Sequence, residues 1–248
     1  MEGREDLDSF LGKWRQRWPE WRVAEAFVPS ASRDTTLAWM ALRQELADAA
    51  WAGVDPRPGE AKLGWWGEEL HGWERGARRH PLGRVLQPLA APWARLAAVL
   101  PLLSEARDRQ ADFSQAREQL QPYARTVAEV SAVIEPGARA DALEGAASIA
   151  TALLGQRLLD GDPSSVPLQA HAALGAGADE GSLRAEAAKL LLRDWPDADG
   201  LSRAARIHLA LLHARLDAMA AEGRFRPVPA WRTLALAWRA ARHSVPPA

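Results

Sequence analysis

The chain has no cysteine. Disulfides, thiolate metal sites and cysteine nucleophiles are therefore excluded, and a reducing cytoplasm is the compartment that suits such a composition. Its six histidines include no HxxxH or HExxH pair, so a histidine-built metal centre lacks its scaffold. There is no glycine-rich phosphate loop of the Walker or dinucleotide type, and no serine sits in GxSxG. Charge of neither sign dominates: 31 basic residues face 32 acidic ones, for a net charge of −1. No global basic field is available to neutralise phosphates, which argues against a nucleic-acid partner. Long apolar runs are missing too. The longest uncharged one, Gly145–Gln156, is too short to span a bilayer, and the start, MEGREDLDSF, lacks the apolar core of a signal peptide. No transmembrane segment is expected; peripheral contact with a membrane stays compatible with the sequence.

β-Branched residues are sparse and strand-like alternation is absent, whereas alanine, leucine, arginine and glutamate abound. That mixture favours helix nearly everywhere. Apolar residues recur at three- and four-residue spacing, punctuated by proline and glycine. The pattern predicts helices over Leu7–Trp18, from Ser32 to the DPRPG break at Asp55–Gly59, and through the tryptophan-rich stretch to Arg79. Further helices are expected over Pro81–Leu89, Trp93–Asp112, Gln115–Ile134, Ala138–Leu159, Glu180–Leu192, Leu201–Glu222 and Ala230–His243. No linker of two-domain length and no fixed-period repeat interrupts them. The expectation is a single all-α domain over 1–248, with an N-terminal helix in about 1–20 and a frayed tail at 244–248.

In a cysteine-free helical protein, the remaining device for phosphate chemistry is carboxylates at i, i+4. Such a pair projects from one helix face and can hold Mg²⁺ against a diphosphate. The literal match is Asp108–Asp112, which reads first as a solvated face. Twelve tryptophans are several times normal usage. Trp39, Trp51, Trp231 and Trp238 read first as bulky core fillers, because an indole buries a large apolar area and needs only one hydrogen-bond partner. Trp65 and Trp66 are neighbours and point about 100° apart on a helix, so only one can face the interior. Arg75, Arg78, Arg79, His80 and Arg84 form a basic cluster expected at a helix C-terminus, where it complements the dipole. A second cationic stretch comprises Arg224, Arg226, Arg232, Arg239 and Arg242.

Lys62-Leu63-x-Trp65-Trp66-x-x-Glu69-Leu70, followed by His80-Pro81, resembles the RLxWWxxxL…HP pattern of the squalene/phytoene synthase family. Phe27–Leu46 resembles that family's first long helix, with Pro29, Arg33, Ala38, Ala41 and Glu45 in familiar places. Ser104–Phe113 is similar to its arginine-then-aspartate segment, Leu120–Val130 to its L-x-x-Y-x-x-x-V-A motif, and Gly145–Asp160 to its second acidic helix. The similarity covers about residues 24–170 in order.

The resemblance implies an isoprenoid-synthase-type helical bundle around a central cavity. Two aspartate-rich motifs would bind prenyl diphosphates through Mg²⁺, so that diphosphate departure leaves an allylic cation. It further implies Arg43, Glu45, Trp65, Asp112 and Tyr123 as substrate-lining positions. The acids themselves are depleted. The first motif falls on Ala47–Trp51, keeping Asp48, or in another register on Gln44–Asp48, keeping Asp48 and Glu45. The second falls on Gln156–Asp160: glutamine replaces its first aspartate, Asp160 remains, and Gly155 stands where an arginine is usual. Asp48 and Asp160 are thus the metal candidates, and a cluster built on them is short of charge.

Three readings stay open. The preferred one is a catalytically impaired homologue that binds a lipid or protein partner; the family has such a branch, associated with assembly of respiratory complex I. The alternative is an active Mg²⁺-dependent prenyltransferase condensing prenyl diphosphates head to head in squalene or carotenoid biosynthesis. The third is an unrelated helical interaction domain.

Overall fold

The computed structural model describes residues 2–135, 137–139 and 143–242. Every regular element among them is helical, and no strand occurs. His243 and the expected tail at 244–248 lie outside the described residues, as do 136 and 140–142, the last three within the expected helix Ala138–Leu159.

Helix α1 (Glu2–Arg17) ends before Pro19, and a short α2 (Trp21–Ala24) follows. α3 (Arg33–Trp51) is buried on most of its circumference, and its apolar residues between Leu37 and Trp51 are spread over several faces. α4 (Arg57–Glu74) crosses it closely: a Cβ on Gly59 would stand 2.1 Å from the Ala49 carbonyl oxygen. Only glycine fits there. α5 (Gly83–Leu86), α6 (Trp93–Val99) and α7 (Pro101–Glu105) are short. They lead into α8 (Phe113–Ile134) and its partner α9 (Leu143–Leu159). α10 (Leu168–Leu174), α11 (Glu180–Arg193), α12 (Arg203–Glu222) and α13 (Ala230–Arg242) complete the chain, with α12 packed between α9, α11 and α13.

Capping follows local chemistry. Asp112, Asp179 and Ser202 each accept a backbone N–H from three residues on, at 2.9, 3.0 and 3.0 Å. Gly223, at φ +68°, closes α12 in the left-handed conformation, its N–H returning to the Met219 carbonyl.

Two expected helices differ, and two short ones were not expected. The tryptophan-rich helix stops at Glu74, so Arg75 is its C-cap, whereas Arg78 and Arg79 lie in the turn and loop beyond it. Trp93–Asp112 is broken, because Pro101 has no N–H to continue the ladder and residues 106–112 leave it. Asp108 and Asp112 therefore do not share a helix face. α2 and α10 fall in segments too short for a periodic signal.

The core is rich in indole. Trp39, Trp66, Trp73 and Trp93 fill the space between α3, α4, α6 and α8. Trp93 packs edge-on against Trp73 at 4.9 Å and against Trp39 at 6.2 Å. Trp39 donates to Ser131 Oγ at 3.0 Å, and Trp51 to the Leu103 carbonyl at 2.8 Å. Both are core residues, as their sequence context suggests. Trp231 and Trp238 are not: they are 74% and 49% exposed. Their place on α13 turns them away from the body.

The Trp65–Trp66 pair is resolved by the fold. Trp66 is buried, whereas Trp65 stays partly exposed beneath the Arg79 guanidinium, 5.3 Å from its ring. Both indoles meet the His80 ring, at 6.0 and 4.6 Å, and Phe10 of α1 closes over it at 4.5 Å. Glu69, only 2% exposed, ties this corner together. Its carboxylate accepts from Trp73 Nε1 (2.9 Å), the Arg79 N–H (2.7 Å), the His80 N–H (2.8 Å) and Arg79 Nε (3.1 Å). The WW…HP pattern is thus a packed corner joining α1, α4 and the turn at His80.

Candidate functional site

Asp48 lies in the last turn of α3 and Asp160 just past the end of α9. The fold brings them together, although 112 positions separate them in the chain (160 minus 48). Between them reaches Arg17, the last residue of α1. Its Nη1 donates to Asp48 Oδ2 at 3.1 Å, and its Nη2 pairs with Asp160 Oδ2. The three side chains are each about one-third exposed.

This bridge stands between two open grooves that share all three residues. One, of about 560 Å³, is lined by Trp51, Arg107, Gln156 and Ser164. The other, of about 540 Å³, is lined by Phe10, Lys13, Trp14 and Glu45. Asp48 has a second partner, since Gln44 Nε2 donates to its Oδ1 at 2.9 Å. Burial pushes the Asp160 carboxyl above the usual range and the Asp48 charge adds to that, while the Arg17 cation pulls it back.

Arg17 is itself held in place. The buried Arg215 of α12 donates from Nη2 to the Arg17 carbonyl at 3.1 Å. Arg215 also forms a buried ion pair with Glu20, whose Oε1 accepts from Arg215 Nε at 3.0 Å and from the Val228 N–H at 2.8 Å. Its guanidinium lies 3.7 Å from the Trp18 ring. Such a pair is costly to desolvate, and it is retained here with hydrogen bonds on both members. Its position fixes where α1 ends, and hence where Arg17 points.

Gln156 contributes less freely than its place in the groove suggests. Its amide lies 2.6 Å from His208 Nε2, and His208 Nδ1 accepts from Trp21 Nε1 at 3.2 Å. The Gln156 atom placed there is the amide Nε2; since Nδ1 is an acceptor, the neutral ring carries its proton on Nε2, and the amide must turn its oxygen toward the ring to accept it. Burial, followed by the Arg43 and Arg215 charges, brings His208 down to about 3, so it is neutral and serves as a fixed donor. Gly155 is explained by packing: a Cβ there would come 3.0 Å from Leu216 and 3.2 Å from Leu212. An arginine has no room.

The other candidates lie outside the bridge. Glu45 faces the second groove, paired with Lys62 Nζ at 2.7 Å. Asp112 is the N-cap of α8, and Trp65 belongs to the His80 corner. Tyr123 is fully buried with an unpartnered hydroxyl, and burial pushes it up to about 12. Arg43 lines a small internal space with Glu135, and burial lowers its pKa against the opposing pull of Glu135 and Tyr123.

Mg²⁺ does not fit this arrangement. Both oxygens of Asp48 accept from side-chain N–H groups, Asp160 is engaged by the same guanidinium, and the space a bridging cation would need is filled by Arg17. Among the described residues, no three acidic or histidine side chains converge to hold a metal ion. Two carboxylates with a resident guanidinium form a charge-compensated latch, not a cation trap.

Arg17, Arg215 and His208 were not legible as site residues in the sequence, because no motif surrounds them and α1 lies ahead of the patterned region. No helix among the described residues is long and apolar enough to cross a membrane. The chain matches no protein-family model and no curated protein sequence.

Proposed function

We propose that this chain is a squalene/phytoene synthase-like protein of impaired catalysis, which binds a lipid or protein partner instead of condensing prenyl diphosphates. On this reading the bundle is of isoprenoid-synthase type, and the two grooves beside Arg17 are the remnant of the central cavity. The observation that carries the reading is the Arg17 guanidinium between Asp48 and Asp160, the acids kept from the two motifs in either register. Ionisation of an allylic diphosphate needs divalent cations on the leaving group, and an internal arginine side chain cannot bridge the protein to that group in the same way. Gln156, locked to His208, supplies no negative charge. The order of the WW…HP corner, the Tyr123 helix and the Asp160 helix along the chain supports the ancestry.

Incubation with farnesyl or geranylgeranyl diphosphate and Mg²⁺, with and without a reductant, tests the reading. The expected result is neither a C30 or C40 product nor released pyrophosphate. Product formation would establish the active prenyltransferase instead. Thermal stabilisation by a prenyl ligand, equal with and without Mg²⁺, is the expected positive signal; no response to any prenyl ligand would favour an unrelated helical interaction domain.

A further inference from the structure

Helix α13 is built inside out. Its inward face against α2 and α12 buries the small Thr233 and Ala237 fully, with Leu236 only partly buried against the core. Its outward face carries the bulky apolar ones: Trp231, Leu234 and Trp238 are 74, 52 and 49% exposed. These three, at i, i+3 and i+7, fall on one stripe of the helix. Phe225, 42% exposed, lies in the segment that leads into it. The contrast with the first half of the chain is sharp, since there Trp39, Trp66, Trp73 and Trp93 are all buried.

Charge identifies what covers the stripe. α13 contains Arg232, Arg239 and Arg242 and no acidic residue. Arg224 and Arg226 stand just before it. Two acids lie near them: Glu222 pairs with Arg224 and Arg226, and Asp217 pairs with Arg232 at 3.6 Å. Residues 217–242 thus carry five arginines against two acids, a formal charge of +3. Arg242 lies over the Trp238 ring at 4.5 Å, so cation and indole share one patch. Exposed tryptophans rimmed by arginines, on a helix whose apolar stripe points away from its own core, match an anionic lipid surface: the indoles settle at the headgroup level while the guanidiniums meet phosphates. A protein partner would find apolar area here too, but the all-cationic helix and the tryptophan–arginine pairing favour the bilayer.

We infer that α13 is a peripheral membrane-binding helix that docks through Trp231, Leu234 and Trp238 onto anionic lipid. This is independent of the reading of the Arg17 latch, and no prenyl diphosphate chemistry is needed for it.

The full-length protein is mixed with phosphatidylcholine vesicles containing phosphatidylglycerol, and in parallel with phosphatidylcholine alone, and co-sedimentation is measured. Binding to the anionic vesicles is expected, weakening as salt is raised, with little binding to the neutral ones. The W231S/W238S variant should lose at least about tenfold in vesicle affinity, and R239E/R242E a comparable amount. All four positions lie outside the core, and circular dichroism checks that both variants fold like the parent. Absence of wild-type binding, or equal binding by W231S/W238S, would overturn the inference. So would concentration-dependent self-association abolished by W231S/W238S, which would assign the stripe to a second copy of the chain.

Discussion

Two buried carboxylates, Glu69 and Glu135, are 2% and 3% exposed and have opposite fates. At Glu69, burial alone would raise the pKa, but N–H groups from His80, Arg79 and Trp73 and the Arg79 side chain outweigh it and hold the group below its ordinary value. Glu135, at the end of α8, has no well-formed hydrogen bond to either oxygen. Burial pushes it up to about 7, and the Arg43 charge and the Ser202 hydroxyl only partly offset this. Equal burial thus stabilises one charge and suppresses the other. The difference lies in how many N–H donors the backbone delivers. The His80 turn aims two at Glu69, whereas α8 ends at Glu135 with none directed toward the side chain.

The largest way to break this contrast is at the Glu69 corner. Glu69→Ala strands the Trp73 indole N–H and two backbone N–H groups, and should cost about 3 kcal/mol or more in urea unfolding. Trp66→Ala, which removes the indole beneath the same corner, should cost about 3–5 kcal/mol. Trp65→Ala, on the exposed side, should cost about 1 kcal/mol.

Next comes pH. A carboxyl raised from 4.5 to about 7 binds its proton more tightly when folded. Between those values the native state holds more protons than the unfolded one, so Glu135 makes stability fall as pH rises from 4.5 to about 7, by about 3 kcal/mol. Glu135→Gln should flatten that slope, leaving stability at pH 4.5 nearly unchanged and raising it at pH 8. Glu69 acts in the other direction. Its folded pKa is depressed, so its contribution is complete above the ordinary 4.5 and lost as pH falls through the lower folded value. Glu69→Gln should therefore reduce the acid sensitivity of unfolding below that point.

The smallest effect on stability is expected at the latch. Arg17, Asp48 and Asp160 are each about one-third exposed, so Arg17→Gln should cost no more than about 1 kcal/mol. Its signature is electrostatic. With the guanidinium gone, the Asp160 carboxyl should move further above the usual range, because burial and the Asp48 charge are then opposed only by the Arg215 charge. Carboxyl NMR titration reads this directly, and an unmoved Asp160 would show that Arg17 does not hold the pair together.

Residue pattern reached a good part of the architecture. The all-helical class follows from composition, α3, α8 and α12 from apolar periodicity, and the reading of Trp39 and Trp51 as core fillers holds. It failed where the deciding contact is remote. Trp231 and Trp238 carry the same side chain as Trp39, and nothing local says that α13 offers its small residues to α12. The break at Pro101 was readable in principle, since proline ends a hydrogen-bond ladder, yet the leucines on both sides mask it.

By itself, then, the sequence determined which segments coil and which faces are apolar. These follow from propensity and spacing, which act over a few residues. Only the tertiary structure decided that Arg17 lies between Asp48 and Asp160, that Gln156 answers to His208, and that two tryptophans of α13 face outward. Each depends on helices distant in sequence meeting at a fixed angle, and a few ångströms of approach, as at Gly155 against Leu216, set which side chain fills the gap.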